Sequence, residues 1–168
     1  MKIRHFLLLV VVVVSSWVVG CAPARSGEDY LKSGGRAEVR GEMSGVEFSA
    51  VVELSENGES VRVEYLAPDA LCGLIFLSDG DQCEVRLGDV GFVCNVSEVV
   101  GFLRPATAFL PQGEVNSVQK SGENTVLTYP TSGTLTLSPK GEPLLLIRED
   151  INMQVVWWQK GTEENFGS

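Results

Sequence analysis

Residues 46–65, VEFSAVVELSENGESVRVEY, alternate apolar and polar side chains on both sides of an Asn-Gly pair. Asn57-Gly58 supplies the two left-handed residues that a type I′ hairpin turn requires. Pairing Glu56 with Glu59 sets Leu54 opposite Val61, Val52 opposite Val63 and Ala50 opposite Tyr65, all on one face. The other face pairs Glu53 with Arg62 and Val51 with Glu64. A slip of one residue would mix the two sets, so the register is strongly specified.

The same face extends upstream. Ser44-Gly45 turns the preceding strand back, so Met43 meets Val46, Gly41 meets Phe48 and Val39 meets Ala50. Arg36 then falls opposite Glu53, giving an Arg36–Glu53–Arg62 charge ladder that reads as a solvated outer face. Downstream, Pro68-Asp69 interrupts and a strand over 71–78 follows. Asp79-Gly80 turns it into 82–88, and 88–91 turns again into 92–96. Turn dipeptides every 8 to 12 residues mark an antiparallel all-β domain.

Residues 97–110, SEVVGFLRPATAFL, break this period. Apolar residues at 99, 102, 103, 106, 109 and 110 fit helical spacing. Ser97 is placed to cap the start with Glu98 in the first turn. Pro105 predicts a kink or a second short helix opening there. Strands resume over 114–120, 123–129, 133–138, 143–148 and 151–159, and the Lys140-Gly141 turn sets Leu135 opposite Leu146 and Leu137 opposite Leu144. The expected fold is mainly β: a curled antiparallel half-barrel of about eleven strands, with a helical insertion after strand six covering the concave face. A single sheet of that length must curl or close.

Cys72, Cys83 and Cys94 recur at intervals of eleven. The strand registers expected here set Cys72 opposite Leu87 and Cys94 opposite Val85, with all three thiols toward the apolar side. There they behave as small hydrophobes. A Cys83–Cys94 disulfide needs a shift of two residues from that register. SDGDQCE, 78–84, gathers acids at a hairpin tip without the spacing of a calcium loop. Near the end, Trp157-Trp158 splits between faces, with Met153, Val155 and Trp157 expected together on the core side and Trp158 on the other.

The chain has 168 residues, a net charge of −9 and one histidine, His5. Residues 1–20 hold a basic start, an apolar run from Phe6 to Val14 and a small residue at Gly20, the parts of a secretory signal. Without them 148 residues remain, enough for one domain with a core. That remainder has 11 basic against 22 acidic residues and no histidine. The acidity argues against nucleic-acid partners. The lack of histidine removes Ser-His-Asp and Cys-His nucleophile systems and the usual zinc sites. No enzymatic activity, cofactor or metal is expected.

The tetrapeptide Val18-Val19-Gly20-Cys21 resembles a bacterial lipobox. The resemblance implies a diacylglycerol on the Cys21 thiol and cleavage that leaves Cys21 first. The organisation is then a signal peptide at 1–20, a lipidated tether at 21–27, a domain at 28–160 and a disordered tail at 161–168. Such a protein is exported and anchored to the cell membrane by lipid, in the outer membrane where the host has one.

A lipobox, a short leading helix at 28–33, six meandering strands, a helical insertion and five more strands together resemble the lipoprotein-carrier superfamily. That group comprises the outer-membrane lipoprotein carrier and receptor proteins, and small surface lipoproteins of Gram-positive bacteria look similar. The likeness is architectural and spans 36–159. It implies a half-barrel whose apolar concave face holds a lipid or acyl chain. The residues expected on that face are Phe48, Val52, Val63 and Tyr65 from the first strands, then Leu74, Phe76 and Val85. Phe102 joins them from the helical insertion, and Leu135, Leu146 and Trp157 from the last strands. The alternative is a non-catalytic structural or interaction module of the cell envelope whose core is simply filled.

Overall fold

The computed structural model describes residues 29–111, 113–130 and 133–161. Cys21, the signal segment at 1–20, the tether at 21–27 and residues 162–168 of the tail lie outside the described residues. A short helix α1 (Asp29–Lys32) leads into strands β1 (Gly35–Met43), β2 (Val46–Leu54), β3 (Ser60–Ala67), β4 (Leu74–Asp79), β5 (Gln82–Leu87) and β6 (Val90–Asn95). Helix α2 (Val96–Thr107) follows at once. Then come β7 (Ser117–Ser121), β8 (Asn124–Thr128), β9 (Thr134–Leu137), β10 (Pro143–Arg148) and β11 (Ile151–Lys160).

All eleven strands form one antiparallel sheet in the order β6-β5-β4-β3-β2-β1-β11-β10-β9-β8-β7. Two meanders are joined where β1 pairs β11, so the first and last strands sit in the middle and the sheet curls without closing. The hairpin registers read from alternation hold: Met43 faces Val46, Leu54 faces Val61, Ala50 faces Tyr65 and Leu135 faces Leu146. Asn57 and Gly58 both take left-handed angles, φ 56° and 72°, as the turn demands. The concave face is apolar along every central strand. Ala37, Val39, Ala50, Val52, Leu54, Val63, Tyr65 and Met153 are wholly shielded from solvent.

Helix α2 lies on that face. Its apolar stripe places Leu103, Ala106 and, just beyond its end, Phe109 against the sheet with at most 1% exposure. The Tyr65 hydroxyl donates to the Phe102 carbonyl at 3.0 Å, and the Tyr30 hydroxyl of α1 donates to the Phe109 carbonyl. The Tyr30 phenol satisfies a carbonyl just past the helix end, and the Tyr65 phenol ties the helix body to β3. Arg104 reaches the β10–β11 turn and bonds Asp150, with Nε donating at 3.0 Å.

Five local expectations are corrected. The helix begins at Val96 and its cap is Asn95, whose Oδ1 accepts from the Ser97 N–H at 3.0 Å. Ser97 is thus the residue capped. The helix continues through Pro105, which sits in its last turn and forfeits the one bond its N–H would make to the Gly101 carbonyl. Residues 71 and 72 are not in β4, because Leu71 and Cys72 donate backward to Pro68 and Asp69 in a turn, leaving Cys72 exposed. Leu137 pairs with Pro143 rather than Leu144, through an irregularity between Pro143 and Leu145. Finally, Glu38 pairs with Trp157 while Val39 pairs with Val155, so a bulge takes up Val156. One extra residue reverses every side chain beyond it. Trp157 therefore lies on the outer face, its indole donating to Glu38 at 3.1 Å, and Trp158 turns inward beside Tyr30 and Phe109. Gly35 makes this possible, since a Cβ there would strike the Trp158 ring.

The Arg104 guanidinium holds the Asp150 carboxyl below the ordinary carboxylate range. A carboxylate with a lowered folded pKa stabilises above its unfolded pKa of about 3.9, and that contribution is lost as pH falls through the folded value. Asp150→Asn should cost no more than about 1 kcal/mol at neutral pH, because both partners are partly exposed. The gap from wild type should close in acid, as read by urea denaturation at pH 7 and below pH 4.

Candidate functional site

The concave face divides into a filled centre and an open wing. In the centre, Phe76 stacks on Phe102 with centroids 5.1 Å apart and planes at 7°, and Tyr65 meets Phe76 edge-on at 6.1 Å. Phe48 closes the cluster against Tyr65. Toward β11, Phe109 packs on Trp158 at 5.9 Å. On the β10 side the half-buried Arg148 guanidinium sits 5.6 Å above the Tyr129 ring and donates through Nη2 to the Leu110 carbonyl at 2.6 Å. Burial lowers the Arg148 pKa, an effect opposed by Tyr129 and Tyr30. These contacts hold 102–110 down on the sheet, and burial raises the Tyr65 hydroxyl well above a normal phenol.

The structure brings most of the expected apolar-face residues into this centre. Phe48, Val52, Val63, Tyr65, Phe76, Val85, Leu135 and Leu146 are all buried. Leu74 is half-buried at the margin of the same face, and Phe102 is 39% exposed on the helix. Trp157, carried outward by the bulge, is the one expected member that does not share the face.

The wing is the part that alternation alone did not single out. Along one cross-strand row, Val63 pairs with Phe76, Phe76 with Val85 and Val85 with Phe92. Exposure rises outward from 0% at Val63 to 60% at Phe92. The next row runs Leu74, Leu87, Val90, and the last two are 55% and 74% exposed. The apolar concave face thus continues past the helix into solvent on the β5–β6 hairpin. Helix α2 leaves β6 at its Asn95 end, so the opposite, Gly88-Asp89 end is uncovered. Phe102, stacked on Phe76 of β4, adds exposed apolar surface beside it. A patch of this kind needs an account, where single exposed apolar residues do not. Sequence alternation assigned Leu87 and Val85 to one face, but exposure depends on where the helix lands.

The outer face is different in kind. Arg36, Glu53, Arg62, Leu77, Glu84 and Arg86 border an open groove of about 790 Å³. Its charges answer one another: Arg36–Glu53 at 3.0 Å, Arg62 with both Glu53 and Glu64, and Arg86–Glu84 at 2.7 Å. Hydrogen bonding from Arg86 holds the Glu84 carboxyl low. Arg40 and then Trp157 do the same for Glu38. Glu38 and Glu84 are each engaged by a neighbouring arginine. Among the described residues, no group of three or more cysteine, aspartate or glutamate side chains is placed to hold a metal ion. None of the described helices is long and apolar enough to cross a membrane.

No model of a known protein family matches the sequence, and no curated protein matches it. Among solved structures, the fold is similar to an uncharacterised conserved protein from Thermus thermophilus, with a TM-score of 0.52 and 16% identity over 83% of this chain and 86% of that one. It is also similar to a LolA superfamily protein from Nitrosomonas europaea, with a TM-score of 0.44 and 12% identity over 83% of this chain and 94% of the other. At these identities the first likeness bears on the fold alone, and it agrees with a curled sheet crossed by a helix.

The two zones of the concave face should respond oppositely to truncation. Phe76→Ala, in the filled centre, should cost about 3–5 kcal/mol. Phe92→Ser and Val90→Ser, on the wing, should change stability by no more than about 0.5 kcal/mol. Urea denaturation of the three variants checks both, and a large loss from either wing variant would show that the wing is part of the core.

Proposed function

We propose that this chain is an exported lipoprotein, anchored through Cys21, that holds an apolar chain such as a lipid acyl group against the open wing of its concave face. The observation that carries this reading is the row from Phe76 through Val85 to Phe92, apolar throughout and increasingly bare toward its end. The lipobox-like Val18-Val19-Gly20-Cys21 supports the anchoring. With α2 filling the centre, the ligand lies along the β5–β6 hairpin beside Phe102, and its contacts are dispersion and hydrophobic burial. Covering such side chains returns about 25 cal/mol per Å² of apolar surface. The reading assigns no catalysis, and the paired charges of the outer face keep that side wet. The filled centre itself favours a second reading, an interaction module of the envelope whose wing meets a protein.

Two measurements test this. Replacing Cys21 with alanine should abolish incorporation of an alkyne-tagged fatty acid and leave the chain at its full, uncleaved mass. A diazirine-bearing fatty acid, irradiated in membranes holding the full chain, should label peptides containing Leu87, Val90 and Phe92, and Phe92→Asp should suppress the label. Labelling scattered over the surface, or unaffected by Phe92→Asp, would overturn the ligand reading in favour of the interaction module.

A further inference from the structure

The β5–β6 hairpin carries a second feature that the apolar wing does not use. Cys83 and Cys94 face each other directly across the ladder, two residues away from the register expected from alternation. The hairpin tip sets this pairing: Leu87 and Val90 flank the two-residue turn Gly88-Asp89, and four steps back from it the cysteines meet. The Val96 N–H donates to the Asp81 carbonyl at 3.0 Å on the same ladder. Because hydrogen-bonded and open pairs alternate, Cys83 and Cys94, two residues along, form a hydrogen-bonded pair with Cα atoms about 5.5 Å apart. That Cα spacing lies inside the range of roughly 4.4–6.8 Å that a disulfide spans. The Cβ atoms of a hydrogen-bonded pair, about 5.5 Å apart, must draw in to roughly 3.5–4.5 Å, so the bond forms by a local tightening of the edge hairpin. Opposed residues also project from the same face. The Cys94 thiol lies against the Cys83 carbonyl at 3.6 Å, and both thiols are free.

We propose that Cys83 and Cys94 are the site of a cross-strand disulfide that closes the outer edge of the sheet. The two thiols differ in access. Cys94 is partly exposed, while Cys83 is fully buried and is held protonated by that burial and by its neighbour Cys94. Cys94 is therefore the entry point. Its thiolate attacks one sulfur of an external disulfide, of the kind carried by oxidised glutathione or an exported dithiol oxidase, and expels the other sulfur as a thiol. Cys83, losing its proton, then attacks Cys94 Sγ and expels the remaining sulfur. One external disulfide is reduced to two thiols, which receive the two protons, and one internal disulfide forms. Cys72 takes no part: it is exposed in the turn ahead of β4.

The location gives the bond its purpose. β6 is an edge strand, and edge hairpins are where sheets open most readily. The hairpin also ends in Leu87, Val90 and Phe92, which are 55%, 74% and 60% exposed. A covalent link four pairs from the turn would hold that apolar tip in register without asking the helix to cover it.

The test uses the full chain, expressed with its own leader, quenched in acid, alkylated with iodoacetamide and digested at arginine and acidic residues. Asp79 and Asp81 separate Cys72 from Cys83, and Arg86 separates Cys83 from Cys94. The expected product is a Cys83–Cys94 linked pair of peptides, with Cys72 alkylated, either as isolated or after the reduced chain is treated with oxidised glutathione. The oxidised chain should melt roughly 5 °C or more above the reduced one. C83S and C94S should each melt alike with and without reductant. Alkylation of both cysteines in both preparations, or a bond joining either of them to Cys72, would overturn the assignment.

Discussion

The pairing of β1 with β11 governs the rest of the molecule. It puts the two ends of the domain side by side in the centre of the sheet and sends β6 and β7, which are consecutive in the chain, to opposite edges. The segment between them must therefore cross the sheet, and the concave face is where its apolar stripe can be buried. A single curled sheet cannot cover its own inner face. The crossing segment does so, which is why Leu103, Ala106 and Phe109 are as deeply buried as the strand residues beneath them. Helix α2 is both connection and cover of the core.

That arrangement also fixes where the cover ends. The helix leaves β6 at Asn95, whereas Val90 lies five residues back, roughly 17 Å along the strand. A helix with its side chains reaches only about 5–6 Å from its axis. The far end of the β5–β6 hairpin is thus out of reach, whatever its residues are. What geometry does not require is that those residues be apolar. Leu87, Val90 and Phe92 occupy positions that a solvated edge would give to charged or polar groups, and β6 carries no charge at all from Val90 to Asn95. At the other edge the comparable row ends in one exposed residue, Val118 beyond the buried Leu127. The asymmetry between the two edges is a property of the sequence, and it is what gives the wing a functional reading.

Much of this was legible before any coordinates. Period-two alternation with Asn57-Gly58 and Ser44-Gly45 sets the hairpin registers, and the change of period over 97–110 marks the helix. Adjacent hairpins, however, carry no information on which distant strands meet, so the β1–β11 pairing was invisible. So was the bulge at Val156: both indoles are apolar, and alternation alone favours whichever continues the run from Met153. The Gly35 vacancy that receives Trp158 is on the neighbouring strand β1, 123 positions earlier in the chain. The cysteine register failed for a similar reason. The glycines at 88 and 91 allow a two-residue turn over 89–90 or over 88–89, and moving the turn by one residue moves Cys94 by two places against Cys83.

The centre and the wing follow from one division of labour. Folding energy comes from the centre, where aromatic rings from β2, β3, β4 and α2 interlock and two phenols donate to the Phe102 and Phe109 carbonyls. Such a core tolerates little change of volume, so it is unsuited to admitting a ligand. The wing contributes little to that core, so its apolar side chains are free to exchange water for another apolar surface at no cost in stability. A carrier that stored its ligand inside would have to displace Phe102, Leu103 and Phe109 first, breaking the Tyr65 and Tyr30 hydrogen bonds. One that holds it along the rim need move nothing. The apolar chain proposed for this protein is therefore one laid on the edge of the half-barrel and not enclosed by it.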